Sequence, residues 1–152
     1  MNVAFASFQL KNQITSFVAP RWTAKKALGH FLTPRQPKLK AWELRAEEKG
    51  VRLEITKEVS AIRWRPDTPT KTIKRILLVH GWESRATQMY ALVPNLLQQG
   101  YQVFAIDMPA HGHSAGTVSS AESFAKTIQL AQEKLGTFDV IIGHSMGAGA
   151  SS

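Results

Sequence analysis

The chain contains no cysteine, which excludes a disulfide framework and any thiolate-bound metal. That absence suits a reducing compartment, and a cytoplasmic protein is the expectation. No run approaches the roughly 20 apolar residues needed to cross a bilayer. The N-terminus lacks a basic start followed by a long apolar block, so no secretory signal is expected. Acid is missing from one region altogether. Between Met1 and Trp42 there is no Asp or Glu, against seven Lys and Arg.

What is present is enough for one ordinary domain: 152 residues, 43% of them apolar. The net charge of +8 is unevenly spread. Residues Met1 to Arg75 hold 16 of the basic and 6 of the acidic side chains, and the remainder holds 3 and 5. Basicity therefore belongs to the front of the chain. Two readings stay open for it: a solvated flank that packs on its own domain, or a leader that touches anionic lipid or nucleic acid. Phe5, Phe8, Phe17, Trp22 and Phe31 are interleaved with the bases, but no nucleic-acid motif accompanies them. No nucleic-acid partner is expected, and peripheral membrane contact stays an option.

Residues 1–49 read as a basic helical extension and residues 50–152 as the main domain. Phe5 to Phe31 suggests two short helices broken at Pro20. Thr33 to Lys40 is a loop, and Ala41 to Lys49 a short helix stopped by Gly50. Val51, Leu53 and Ile55 alternate with polar residues, and Val59 to Arg65 follows as the second arm of a β-hairpin. Pro66 to Thr72 is a turn-rich connector. Beyond it strands and helices alternate, which implies parallel strands with flanking helices. Ile76–Val79, Val103–Ile106 and Phe138–Ile142 are the strands. Met89, Val93, Leu96 and Leu97 share a helical face kinked at Pro94. A capping box at Ser119 and Glu122 opens a helix that carries Phe124, Ile128, Ala131 and Leu135.

Each of these three strands is followed by residues suited to chemistry. After the last comes Gly143-His144-Ser145-Met146-Gly147, ahead of an Ala/Gly-rich stretch. A serine on a strand-to-helix turn so sharp takes a strained backbone, and glycines on both sides let strand and helix approach closely. The Ser145 hydroxyl then projects above the sheet as a nucleophile, and the helix start beside it favours negative charge. After the first strand comes His80-Gly81-Trp82. Acyl transfer needs preorganised N–H donors for a developing oxyanion. The backbone amides of Trp82 and Met146 are the candidates, with Gly81 letting the loop come close. The His80 side chain reads as a buried support. After the middle strand comes Asp107-Met108-Pro109-Ala110-His111-Gly112-His113-Ser114. Here Asp107 reads as a tie for the loop rather than a catalytic acid. His111 and His113 lack neighbouring carboxylates or cysteines, so no metal is expected. No cofactor is implied: Gly143 to Gly149 has neither the dinucleotide glycine register nor a P-loop Lys-Ser/Thr pair.

Together, His-Gly-Trp, Asp-x-Pro-x-His-Gly-x-Ser and Gly-His-Ser-Met-Gly, each after a strand and in this order, resemble the α/β-hydrolase family, in particular its bacterial esterase and lipase-like branch. The resemblance covers roughly Val51 to Ser152. It implies an α/β fold in which the hairpin is the antiparallel opening of the sheet and the three motif strands are the third to fifth of eight. It also implies Ser145 as nucleophile, Trp82 and Met146 as oxyanion donors, and a small ester or acyl compound as substrate. The family places its acid and histidine after the nucleophile, and Met146 to Ser152 holds neither. The expectation is an incomplete sheet, an incomplete triad and little turnover by these residues alone. Relatives that use an aspartate nucleophile, the dehalogenases and epoxide hydrolases, are disfavoured by serine at 145. A non-catalytic or non-hydrolytic member of the fold remains the alternative.

Overall fold

A computed structural model describes residues 3–67 and 74–152. The chain divides into two compact units, Met1–Thr33 and Pro34–Ser152. The first is a pair of helices, α1 (Val3–Val18) and α2 (Pro20–Leu32). Pro20 sits in the first turn of α2, where its missing N–H removes no intrahelical bond.

The second unit begins before the expected 49/50 division, because α3 (Ala41–Glu48) is anchored in it. The Trp64 indole N–H donates to the Ala46 carbonyl at 3.0 Å, and Glu43 is fully buried, accepting the Thr87 hydroxyl at 3.1 Å. The first bond ties α3 to the sheet that follows, and the second ties it to the helical segment Ala86–Leu92. The turn-rich connector expected over Pro66 to Thr72 lies mostly outside the described residues.

The sheet has five strands in the order β1-β2-β4-β3-β5. They are β1 (Val51–Glu54), β2 (Ser60–Trp64), β3 (Arg75–Val79), β4 (Gln102–Ile106) and β5 (Val140–Gly143). β1 and β2 form the antiparallel opening, β2 pairs antiparallel with β4, and β3 runs parallel to both β4 and β5. The architecture is therefore α/β, an open mixed sheet with flanking helices. β5 forms one edge, paired with β3 alone among the described residues.

β3 is apolar without interruption from Ile76 to Val79 because both of its faces are covered there. Leu77 and Val79 join Phe104, Ile106, Phe124 and Ile128 in one core, whereas Ile76 and Leu78 join Val103, Ala105, Trp64 and Val93 in the other. Successive strand residues point to opposite faces, so one strand feeds two cores. Burying a side chain of this kind contributes about 1.5–3 kcal/mol.

Two helical segments differ in detail from expectation. In place of one kinked helix, a 3-10 helix spans Ala86–Leu92 and α4 spans Val93–Gln98. Pro94 falls in the first turn of α4, the place where a helix tolerates it. α5 (Ala121–Leu135) is capped by Ser120 and Ser123, not by Ser119 and Glu122. The Ser120 hydroxyl accepts the Ser123 N–H, and the Ser123 hydroxyl accepts the Ser120 N–H. Glu122 instead pairs with Lys126 one turn on, at 2.6 Å.

Candidate active site

The turn after β5 carries a strained backbone, as do Glu83 and Ala110 in the loops after β3 and β4, all at positive φ. Ser145 has φ 52° and ψ −121°, a region that L-residues avoid at a cost of order 1–3 kcal/mol. Its surroundings hold it there. The His144 N–H extends the β3–β5 ladder to the Val79 carbonyl at 2.9 Å. After the turn, α6 (Met146–Ala150) starts at once, with Ala148 N–H donating to the Ser145 carbonyl at 3.0 Å. The flanking glycines are required by space. A Cβ on Gly143 would lie 2.5 Å from the Ala148 backbone, and one on Gly147 would lie 2.5 Å from the carbonyl oxygens of Val79 and His80. Ser145 is exposed, and its hydroxyl has no hydrogen-bond partner among the described residues.

The loop after β3 lies directly against this turn. A Cβ on Gly81 would stand 3.0 Å from the Ser145 Cβ and 3.1 Å from His144 Nδ1. Trp82 is half-buried beside it. Glu83, next in sequence, is held at φ 53°. Its N–H donates to His111 Nε2 at 3.1 Å. Arg35 grips its carboxylate with the Nε at 2.9 Å from each oxygen, which draws the Glu83 pKa down to about 2.

Below the turn, His80 is fully buried and neutral. Its Nδ1–H donates to the Gly81 carbonyl at 2.7 Å, and its Nε2 accepts the Met108 N–H at 3.0 Å. Burial pushes its pKa down to about 3. With both ring nitrogens occupied, the imidazole joins the loops after β3 and β4 and is unavailable as a base to Ser145.

Asp107 is 1% exposed and binds donors from three segments. Oδ1 accepts the Ala86 N–H at 2.8 Å, and Oδ2 accepts Arg52 at 2.7 Å and the His113 N–H at 3.2 Å. Gly112, at φ +54°, leaves room for it: a Cβ there would lie 2.1 Å from Oδ1. His111 is buried too, its Nδ1–H donating to the Pro109 carbonyl at 2.8 Å and its ring edge-on to Trp82 at 5.2 Å. Burial also lowers its pKa. His113 points elsewhere, to Glu47 at 2.8 Å. No group of three metal-ligating side chains occurs among the described residues.

A cleft of about 510 Å³ opens above the turn, lined by Ser145, Trp82, Glu83, Met89, Leu92 and Ile142 among others. The structure thus brings Ser145, His144, Gly143, Gly147, Gly81 and Trp82 to one place, with the Met146 backbone at the start of α6. His80 and Asp107 stand beneath as supports. Reasoning from sequence did not find Glu83, Arg35 or Leu92. Glu83 follows the Gly81-Trp82 pair directly, but neither its left-handed backbone nor its distant arginine leaves a local signal.

A family profile described as the α/β hydrolase fold matches residues 74–152. The chain belongs to the α/β-hydrolase fold family. It is 27% identical over 111 residues to a serine hydrolase-like protein of Dictyostelium discoideum, a match covering 70% of this chain and 30% of that protein. Its backbone is similar to an esterase of Pyrococcus furiosus, with TM-score 0.57 and 23% identity over 78% of this chain and 51% of that one. A protein of Butyrivibrio proteoclasticus solved with ferulic acid bound is also similar, with TM-score 0.56 and 19% identity over 61% of this chain and 41% of that one. This α/β-hydrolase chain therefore spans about half, or less, of the length of the proteins it matches.

Proposed function

We propose that the chain carries the nucleophile and oxyanion part of a serine hydrolase that cleaves small carboxylic esters. One observation carries the reading: an exposed serine at φ 52° on a glycine-flanked strand-to-helix turn, facing a cleft. Esterase and serine hydrolase-like relatives support it. In this reading the Ser145 Oγ attacks the ester carbonyl carbon and gives up its proton to a base. The amides of Trp82 and Met146 stabilise the oxyanion. The alcohol leaves with a proton, and water then releases the acid from the acyl-serine. Met89, Leu92 and Ile142 give the cleft an apolar wall suited to an acyl or alkyl group.

A serine hydroxyl without a base is a weak nucleophile at neutral pH. His80 and His111 both have their two ring nitrogens engaged elsewhere, and both oxygens of Asp107 are occupied. Little turnover is expected from these residues alone. Activity belongs to a protein in which Ser145 also meets a histidine oriented by a carboxylate.

Fluorophosphonate labelling of the native protein in cell extracts, with the modified peptide mapped by mass spectrometry, tests this reading. The label is expected on Ser145, with Ser145→Ala abolishing it. A label elsewhere on the protein, labelling that survives Ser145→Ala, or none at all overturns the assignment.

A further inference from the structure

The pair of helices Val3–Leu32 has a chemistry unlike that of the sheet-bearing unit. Large apolar side chains stand exposed on it, among them Phe8 at 61%, Phe17 at 89%, Val18 at 75% and Trp22 at 55%. α2 buries no residue at all. The polar complement is one-signed, with Lys11, Arg21, Lys25 and Lys26 and no acid. Between the two helices runs a groove of about 890 Å³, lined by Phe8 and Trp22 together with Lys11 and Lys26. The Lys26 ammonium lies 5.1 Å from the Trp22 ring centre. Each helix therefore brings an aromatic ring and a cationic head to the groove, Phe8 and Lys11 from α1, Trp22 and Lys26 from α2.

We propose that this helix pair seats on an anionic membrane surface. Its aromatic and aliphatic side chains enter the interface, and its lysines and arginine meet lipid phosphates and carboxylates. An in-plane helix that binds such a surface combines Phe, Trp or Leu with Lys or Arg, which is the composition found here. No helix among the described residues is long and apolar enough to cross a bilayer, so the helices lie on the surface. Charge separates this occupant from the alternatives. A second copy meeting it through the same helix pair would oppose four cations to four cations with no acid to relieve the repulsion. Nucleic acid would satisfy the bases but leave Ile14, Val18 and Leu28, which cannot stack like aromatic rings, exposed to water.

Co-flotation of the whole 152-residue chain with phosphatidylcholine vesicles is the test. At low salt, binding is expected when about a third of the lipid is phosphatidylserine, and should fall about tenfold or more on pure phosphatidylcholine. Lys25→Glu with Lys26→Glu should weaken binding to the anionic vesicles by roughly tenfold or more. Phe17→Ser should weaken it by roughly tenfold, with the circular dichroism spectrum unchanged. All these positions are exposed, so loss of fold is not the expected cause. Failure to float with anionic vesicles overturns the proposal. So does indifference to both variants, tighter binding to short duplex DNA than to the vesicles, or self-association without vesicle binding.

Discussion

The loop after β4 and the turn after β5 lie at the same, carboxyl end of the parallel strands and treat their polar atoms in opposite ways. Along Asp107 to Ser114, nearly every buried polar group has a partner: the Asp107 carboxylate holds Arg52 and two backbone N–H groups, and Ser114 donates to the Asp107 carbonyl. At the turn after β5, the backbone is strained and the Ser145 hydroxyl is left exposed. The two differ in their polar atoms rather than in strain, since Ala110 in the first loop also has a positive φ of 62°. Satisfied buried networks hold geometry, whereas an exposed hydroxyl without a partner fits the nucleophile proposed above.

Substitutions can break this comparison. The largest effect is expected at Asp107. Asp107→Ala leaves the Ala86 and His113 amides without their acceptor and leaves Arg52 with Glu47, and should lower stability by about 2–4 kcal/mol in a denaturant titration. A loss below about 1 kcal/mol would place Asp107 outside the scaffold. At the turn the sign should reverse. Ser145→Gly relieves the positive φ and should raise stability by about 1 kcal/mol while removing fluorophosphonate labelling. A fall in melting temperature instead would mean that the serine supports the fold. The smallest effect is expected at the mouth of the cleft. Arg35 is 86% exposed in its pair with Glu83, so Arg35→Ala should leave the melting temperature unchanged within error. A measurable drop would extend the scaffold to the Trp82–Glu83 loop.

Local signals made the turn readable in advance. Gly143, Ser145 and Gly147 sit at fixed spacing after an apolar strand, and steric need at both glycines leaves a trace in the sequence itself. The apolar runs of β3 and β4 were legible for the same reason, since burial on both faces removes polar residues. What could not be read depends on distance along the chain. Arg52 reaches Asp107, and Arg35 reaches Glu83, across about fifty residues in each case. No periodicity encodes such a meeting. The start of the 3-10 helix Ala86–Leu92 was hidden in the same way, because its first N–H is held by the Asp107 carboxylate in the loop after β4. At α5 the competing caps differed by one position, and the adjacent Ser119 and Ser120 offered both choices.

Gly147 rests on the carbonyls of Val79 and His80, at the root of the loop that bears Trp82. Serine and loop thus share a single footing. A displacement of this end of β3 would therefore move both together. Precision at this spot comes from common mounting, so a shock to the distant end of β3 should shift the pair without pulling it apart.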